Sequence, residues 1–229
     1  MKLQLILRQV PQYREVLRAL AAHKTPLVCT GLAHIHKAHF AAAISEDTKK
    51  PLLLIAPDEP TAVRFCEDIR GFCPAREVLH YPAREWFLRD SAAASREYEH
   101  MRLGVLGQVH TGAPIVVASA EAAMQYTLSP EALAGASLHL RGSFAGGLDT
   151  LVKALVHAGY ARVEQVESTC TFAVRGGIVD LWSPSAQAPT RVEFWGDEID
   201  SMAWFSPEDQ RRGEVCDEVM VTQIGRAHV

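Results

Sequence analysis

The sequence has no C-x-x-C pair, no apolar run long enough to cross a membrane and no serine-nucleophile motif of the form G-x-S-x-G. A membrane helix needs about 20 apolar residues, and the first apolar patch is broken at Arg8, so neither a membrane helix nor a signal peptide is expected. We therefore expect a cytoplasmic protein. The cysteines are odd in number and scattered, which disfavours a disulfide framework, a zinc site and a cysteine–histidine nucleophile: Cys29, Cys66, Cys73, Cys170 and Cys216.

Basic charge is scarce in the second half of the chain. Residues 1–128 contain 15 Lys and Arg against 13 Asp and Glu, whereas residues 129–222 contain 7 against 14. Proteins bind nucleic acids mainly through the phosphate charge, so this acidic half is a poor candidate for binding DNA unaided. The whole chain has 229 residues, of which 48% are hydrophobic, and can bury one large core or two modest ones.

Apolar strand patterns and helical patterns alternate along the first half. Continuous apolar runs of four residues are typical of strands buried on both faces, and strands that alternate with helices favour a parallel sheet. The first half is therefore predicted to be an α/β domain. The pattern predicts helices over residues 12–23, 35–44, 58–71 and 95–109, and strands over Leu27–Cys29, Leu52–Ile55, Val78–Tyr81 and Ile115–Ala118.

The turn after the first predicted strand occupies the place of a phosphate-binding P-loop. In that motif, G-x-x-x-x-G-K-[ST], glycines let backbone N–H groups surround phosphates, the lysine meets their charge and the hydroxyl holds magnesium. Here Gly31 and Lys37 match, but His36 replaces the second glycine and Ala38 replaces the hydroxyl residue. We interpret the segment as a degenerate nucleotide site that binds no nucleotide; the alternative is that two residues match by chance.

Three histidines in the same segment raise the question of a metal site. On a helix His36 and His39 can share a face, whereas His34 falls in the turn. No nearby cysteine or acidic residue completes a four-ligand set. We therefore expect neither a metal nor another cofactor.

Glycine and proline mark a change of organisation near Ser129. Residues 148–158 predict a helix that ends at Gly159, and four short runs rich in β-branched and aromatic residues follow. Tight turns at Gly176-Gly177 and Gly196-Asp197 predict that these runs form an antiparallel meander. The runs are Phe172–Arg175, Ile178–Trp182, Arg191–Trp195 and Ile199–Phe205.

One face of this meander is predicted to be polar. Because side chains alternate between the two faces of a strand, Arg175, Asp180, Arg191 and Glu193 would form a ladder on the solvent side. Such a ladder is either a binding surface or a set of internal ion pairs, and for Asp180 we favour a structural role. Three tryptophans could anchor an interface but are more often the core of a short meander: Trp182, Trp195 and Trp204.

A series of motifs then occurs in the order found in a known family. They are Gly159-Tyr160-x-Arg162-Val163, Phe172-Ala-Val-Arg175-Gly-Gly-Ile-Val-Asp180, Arg191-x-Glu193-Phe194-x-Gly-Asp197-Glu198-Ile199 and Gln210-Arg211. Together they resemble the N-terminal, UvrB-like module of the bacterial transcription-repair coupling factors (Mfd). The resemblance covers nearly the whole chain, since Ile115–Ser119 and the degenerate P-loop also fit it.

The resemblance implies a fold and a function. Residues 1–128 would be a RecA-like parallel-sheet domain with a degenerate P-loop, and residues 129–222 a small α+β domain with the antiparallel meander. The chain would be an interaction module without ATPase activity that recruits UvrA in transcription-coupled nucleotide excision repair. RNA polymerase and DNA would bind only through regions of the full-length protein outside this chain. The implied UvrA-facing residues are Arg162, Arg175, Arg191, Phe194, Asp197 and Glu198.

Three features depart from the family pattern. Cys170-Thr171 stands where the family has Gly-Glu, so the local turn is expected to differ. UvrB itself would have an intact P-loop and a longer insertion than Tyr81–Met101, which favours the coupling factors; the alternative function is a UvrB-like ATP-dependent enzyme that handles damaged DNA. Gln223–Val229 lacks the family's continuation, and we expect a vector-derived tail there.

Overall fold

A computed structural model describes residues 4–84, 97–112, 114–142, 144 and 146–224. The chain divides into two compact units. The first contains Met1–Ala83 and Thr111–Gln125, and the second contains Arg84–His110 and Tyr126–Val229. The chain therefore passes from one unit to the other three times. The predicted division into residues 1–128 and 129–222 stays a prediction.

The first unit is built on three parallel strands in the order β1-β3-β2. Leu52 of β1 and Val78 of β2 both lie opposite Ile115 of β3. The elements up to this point of the chain are α1 (Gln4–Leu7), α2 (Pro11–Ala21), α3 (His34–Thr48), β1 (Leu52–Ala56), α4 (Glu59–Phe72), β2 (Val78–Tyr81), α5 (Glu97–Thr111), β3 (Ile115–Ser119) and α6 (Ala120–Met124), of which α5 lies mainly in the second unit.

The core of the first unit lies between this sheet and the helices α3 and α4. Ala38 and Ala42 of α3 pack with Phe65 and Ile69 of α4 and with Ile115 of β3, all of them buried. The side chain of Asp58 accepts a hydrogen bond from the N–H of Thr61 at 2.8 Å and so caps α4. The predicted strands at 52–55, 78–81 and 115–118 and the helices near 35–44 and 58–71 are confirmed.

Two predictions about the first unit are wrong. Leu27–Cys29 is not a strand, because residues 24–30 form neither helix nor strand and Val28 is exposed. Three apolar residues are too few to specify a strand unless a neighbouring strand pairs with them, and among the described residues β1 pairs only with β3. The strand β1 is also not buried on both faces, since Leu53 and Ile55 are exposed.

The predicted helix at 95–109 is α5, although residues 95 and 96 lie outside the described part of the chain. The segment Tyr81–Met101, which was compared with the insertion of UvrB, likewise includes undescribed residues 85–96. Gly104 allows α5 to pack closely against Pro184 in the second unit. A Cβ atom there would lie 2.3 Å from the backbone oxygen of Pro184, so only glycine allows the approach.

The second unit contains a six-stranded sheet in the order β10-β9-β8-β7-β6-β5. Its strands are antiparallel except for β5, which runs parallel to β6. The predicted meander is therefore confirmed. The remaining elements are α7 (Pro130–Gly135), β4 (Leu138–Arg141), α8 (Gly147–Ala158), β5 (Ala161–Arg162), β6 (Thr171–Arg175), β7 (Ile178–Leu181), β8 (Thr190–Trp195), β9 (Glu198–Phe205), β10 (Arg212–Val215) and β11 (Glu218–Val221).

One face of the six-stranded sheet packs on α8. Phe172, Val179 and Val192 of the sheet form a buried core with Leu151 and Leu155 of the helix. Each such side chain contributes about 1.5–3 kcal/mol when it leaves water. The helix ends at Gly159 in the left-handed conformation, as predicted. This packing fixes which face of the sheet is left for solvent or a partner.

A two-stranded antiparallel sheet, which the sequence pattern did not predict, joins the two ends of the second unit. Val219 of β11 lies opposite Leu140 of β4. Just beyond β11, Ile224 is buried and its N–H donates to the backbone oxygen of Ala158 at 2.8 Å. Within the predicted tail at 223–229, the packing thus reaches Ile224, and residues 225–229 lie outside the described part of the chain.

Candidate partner-binding face

The face of the six-stranded sheet opposite α8 carries the predicted ladder of charged residues, including the predicted site residues Arg175 and Arg191, and we call it the polar face. Strand register places Arg175 opposite Ile178, Ile178 opposite Glu193, and Asp180 opposite Arg191. Directly paired residues point to the same side of a sheet. The predicted ladder of Arg175, Asp180, Arg191 and Glu193 is therefore confirmed. One end of the polar face is closed by a small apolar cluster: Val163, Val166, Ala173, Trp182 and Phe205.

Asp180 lies at the centre of the polar face and only 1% of its side chain is exposed. Its Oδ1 accepts from Nε of Arg191 at 2.7 Å, and its Oδ2 accepts from Nη2 of both Arg191 and Arg175 at 3.0 Å. An unpaired buried carboxylate would be costly, so these bonds are needed for the fold. The same hydrogen bonds raise the pKa of Arg191 above its usual value.

The two arginines differ in exposure. The Arg191 side chain is 18% exposed and its guanidinium lies 4.9 Å from the centre of the Phe205 ring. The Arg175 side chain is 52% exposed and makes a single bond to Asp180, next to the Gly176-Gly177 turn. Arg191 is thus held as part of the structure. Arg175 still presents donors to a partner.

A second polar cluster lies beside the first on β8, β9 and β10. Oε2 of Glu193 accepts from the hydroxyl of Ser201 at 2.8 Å and from Nη1 of Arg212 at 3.4 Å. Nη2 of Arg212 also donates to the Ser201 hydroxyl at 2.9 Å. Glu193 and Arg212 therefore neutralise each other in part, and neither of them is a lone charge on the polar face.

Arg162 is not placed beside Arg175. It is exposed at the end of β5, the edge strand, and lies opposite Phe172, whose side chain belongs to the core. Its neighbour Val163 packs into the apolar cluster of the polar face. Alternation along the strand therefore directs Arg162 toward the other face, so the structure separates the two arginines that were predicted together.

The remaining predicted residues lie in the hairpin between β8 and β9. Phe194 is half buried against the core, and its N–H donates to the oxygen of Gly177 at 2.8 Å. Asp197 and Glu198 are exposed, and the backbone oxygen of Asp197 accepts from the N–H of Gly147 at 3.1 Å. The hairpin is thus tied both to the neighbouring turn and to the first residue of α8.

The three tryptophans have different environments, which the sequence pattern did not distinguish. Trp182 packs into the apolar cluster and Trp204 packs against the core, as expected for a short meander. Trp195 is 84% exposed at the end of β8. Its position next to a tight turn was the available signal, because residues beside a hairpin tip have few neighbours to cover them.

The segment predicted to be a degenerate P-loop lies in the first unit. Gly31 has φ +78, which favours glycine, but residues 24–30 before it form no strand. His36 and Lys37 are exposed, and Ala38 is fully buried in the core, where a magnesium-binding hydroxyl could not reach solvent. His34 stacks on Phe65 with ring centres 4.1 Å apart.

The carboxyl ends of the parallel strands carry a polar network that sequence reasoning missed. Oε1 of Glu59 accepts from the buried Ser119 hydroxyl at 2.5 Å and from the N–H of Ala83 at 2.8 Å. Oε2 of Glu59 lies 3.0 Å from Nε2 of His80. Ser119 also caps α6 through the N–H of Ala122. These groups satisfy one another at the edge where α/β sheets usually bind ligands.

The described residues contain no group of three His, Cys, Asp or Glu side chains close enough to hold a metal ion. His39, the third histidine of the predicted cluster, stacks on Phe72. Within the same ranges, no helix combines the length and the apolar character that a membrane span requires.

The chain resembles known proteins over most of its length. The profile of the UvrB interaction domain family matches residues 138–223. The transcription-repair-coupling factors of Bacillus subtilis and Escherichia coli are 27% and 30% identical over 96% and 95% of this chain. The UvrABC system protein B of Thermosipho africanus is 24% identical over 83% of it. The chain spans 19% and 18% of the two coupling factors and 31% of the UvrABC protein.

Proposed function

From the premise that this chain is a relative of the transcription-repair-coupling factors with a UvrB interaction domain at residues 138–223, we propose that it recruits UvrA in transcription-coupled nucleotide excision repair. The observation that carries the proposal is the position of the matched segment. It contains the whole six-stranded sheet and therefore the polar face with its exposed Arg175.

The residues of the site divide into those that contact the partner and those that hold the surface. Arg175, Asp197 and Glu198 are exposed and can pair with charged groups of UvrA. Arg191 is bonded to Asp180, and Phe194 is packed on the core, so both act mainly by shaping the face. Arg162 contributes if UvrA reaches around the β5 edge of the sheet.

The first unit is proposed to be a RecA-like domain that has lost its nucleotide site. Four features support this: parallel strands covered by helices, His36 in the place of a glycine, Ala38 buried in the place of the magnesium ligand, and the mutual satisfaction of Glu59 and its partners. We expect calorimetry to detect no saturable ATP binding at micromolar concentration. Binding in that range would contradict the proposal.

The contacts of the coupling factors with RNA polymerase and DNA are proposed to lie in the four fifths of those proteins that this chain does not span. An acidic second half agrees with a protein partner better than with a nucleic acid. On this proposal the chain alone is an adaptor, and its activity is measured as binding.

The proposal is tested by titrating the whole chain with UvrA. Arg175→Ala should weaken binding by about 1–4 kcal/mol if Arg175 is a hot spot, with little change in melting temperature. Arg141→Ala is the matched control, because Arg141 is also an exposed arginine in an ion pair, with Glu218 on the smaller sheet. Absence of binding by the unmodified chain, or equal losses in both variants, would count against the proposal.

A further inference from the structure

Trp195 is a large aromatic side chain that remains 84% exposed on the polar side of β8. The register with β9 shifts between Glu193 and Phe194, but Phe194 packs on the core, so alternation along β8 directs its neighbour Trp195 to the polar side. Single exposed apolar residues are common and need no explanation by themselves. Trp195 requires an explanation because its hairpin has a fixed backbone and because the charges near it are mostly negative.

The hairpin that carries Trp195 is held from two sides. Phe194, directly before it, packs on the core and donates its N–H to the oxygen of Gly177. Asp197, two residues after it, accepts from the N–H of Gly147 at the start of α8. A hairpin whose backbone is already fixed loses little backbone freedom on binding, and such pre-organisation increases affinity.

The charges near the indole are mostly negative. Glu198 lies directly opposite Trp195 across the hairpin, and Asp197 and Asp200 are also exposed on the same hairpin. Two basic groups on the polar face are already in ion pairs, Arg175 with Asp180 and Arg212 with Glu193. An aromatic face next to an excess of carboxylates attracts a cation, and tryptophan makes the strongest cation–π interaction of the aromatic side chains.

We infer that Trp195 is an anchor of the UvrA-docking surface and that its indole face receives an arginine or lysine side chain of the partner, with Glu198 beside the same cation. This inference rests on the proposed function and specifies its chemistry. The surface then has two parts that prefer partner groups of opposite charge. Arg175 binds an acidic group of the partner, and the Trp195 hairpin binds a basic group.

The inference is tested with UvrA and three variants of the whole chain. Trp195→Leu keeps an apolar side chain but removes the π face, and it should weaken binding about tenfold or more. Trp195→Phe keeps a weaker π face and should lose about threefold. Tyr126→Ala is the control, because Tyr126 is equally exposed at 86% and lies outside the sheet; it should leave the affinity unchanged.

Two further variants, both at Glu198, test the charge. Glu198→Lys places a cation where the partner's cation would approach, and it should weaken binding more than Glu198→Gln does. Melting temperatures should change by less than about 2 °C in every variant, because none of these side chains is buried. Equal affinities for Trp195→Leu and Trp195→Phe, or no loss in either, would overturn the inference while UvrA binding itself stands. No binding by the unmodified chain would overturn the proposed function and this inference together.

Discussion

Arg175 and Arg191 bond to the same carboxylate but differ in what their removal exposes. Loss of Arg191 leaves Asp180 buried with one partner in place of two, whereas loss of Arg175 removes a half-exposed group and keeps the bidentate pair. Breaking a buried pair from one side costs about 3–5 kcal/mol, and an exposed pair contributes about 1 kcal/mol or less.

We therefore expect Arg191→Ala to lower the free energy of unfolding by about 3 kcal/mol and Arg175→Ala by less than about 1 kcal/mol, both measured by urea denaturation. Adding Asp180→Asn to Arg191→Ala should restore part of the loss, because it removes the buried charge. Similar losses for the two single variants would show that Arg191 has no special structural role.

The cysteines should differ in reactivity. Burial raises the pKa of Cys66 to about 11 and that of Cys170 to about 12, so at pH 8 both remain protonated thiols, which are poor nucleophiles. Cys29 is exposed. Iodoacetamide at pH 8 should label Cys29 in the native protein and reach Cys66 and Cys170 only after denaturation, as mass spectrometry can check. Folding raises these pKa values, so above about pH 9 the unfolded chain loses the thiol protons before the folded chain does. The free energy of unfolding should therefore fall as the pH rises above about 9.

At this scale the sequence predicted which residues share a face better than it predicted their exposure. That Asp180 and Arg191 lie on one face followed from alternation along the strands, which is a local rule, whereas their direct pairing depends on the register of β7 and β8. The exposure of Trp195 and the direction of Arg162 depend on which strands end the sheet and where the hairpin is attached. Those are tertiary facts that one sequence does not contain.

The hairpin between β8 and β9 and the helix α8 meet at a residue that has to be glycine. Gly147 has φ +68, and a Cβ atom there would lie 2.6 Å from Oδ1 of Asp197. We expect Gly147→Ala to lower the free energy of unfolding by about 2 kcal/mol through strain and displacement of the hairpin. Gly135→Ala is the control, since Gly135 has open space and no positive φ, and it should change stability by about 0.5 kcal/mol or less.

The same comparison should be visible in binding. If the Trp195 hairpin is displaced, Gly147→Ala should also weaken UvrA binding, whereas Gly135→Ala should not. Unchanged stability in Gly147→Ala would show that the contact with Asp197 is easily relieved and that the hairpin is not fixed from this side.

Whole elements were predictable where the pattern was long. The amphipathic helices α2, α4 and α8 and the strands of the meander followed from period and turn residues. The prediction of a strand at 27–29 was wrong because a run of three apolar residues does not specify a strand unless a neighbouring strand pairs with it. The strands β4 and β11 were missed because they pair across 77 positions, as the bond between Arg141 and Glu218 shows.

For the whole molecule, the position of α5 decides where the chain can be cut. Leu103 of α5 is buried in the core of the second unit together with Leu151 and Phe172. We expect a fragment that begins at residue 129 to melt at a lower temperature and less cooperatively than one that begins at residue 84, because it lacks α5. Circular dichroism during heating measures this, and equal melting would show that α5 is dispensable to the unit.

The pairing of β11 with β4 also determines when the second unit can finish folding during synthesis. Leu140 of β4 is fully buried in the finished unit, but its neighbour strand ends at Val221 and follows some eighty positions later. On the ribosome, β4 must therefore wait with its edge unpaired until β11 has emerged. This delay leaves the nascent second unit open to chaperones and to aggregation until synthesis has passed Val221.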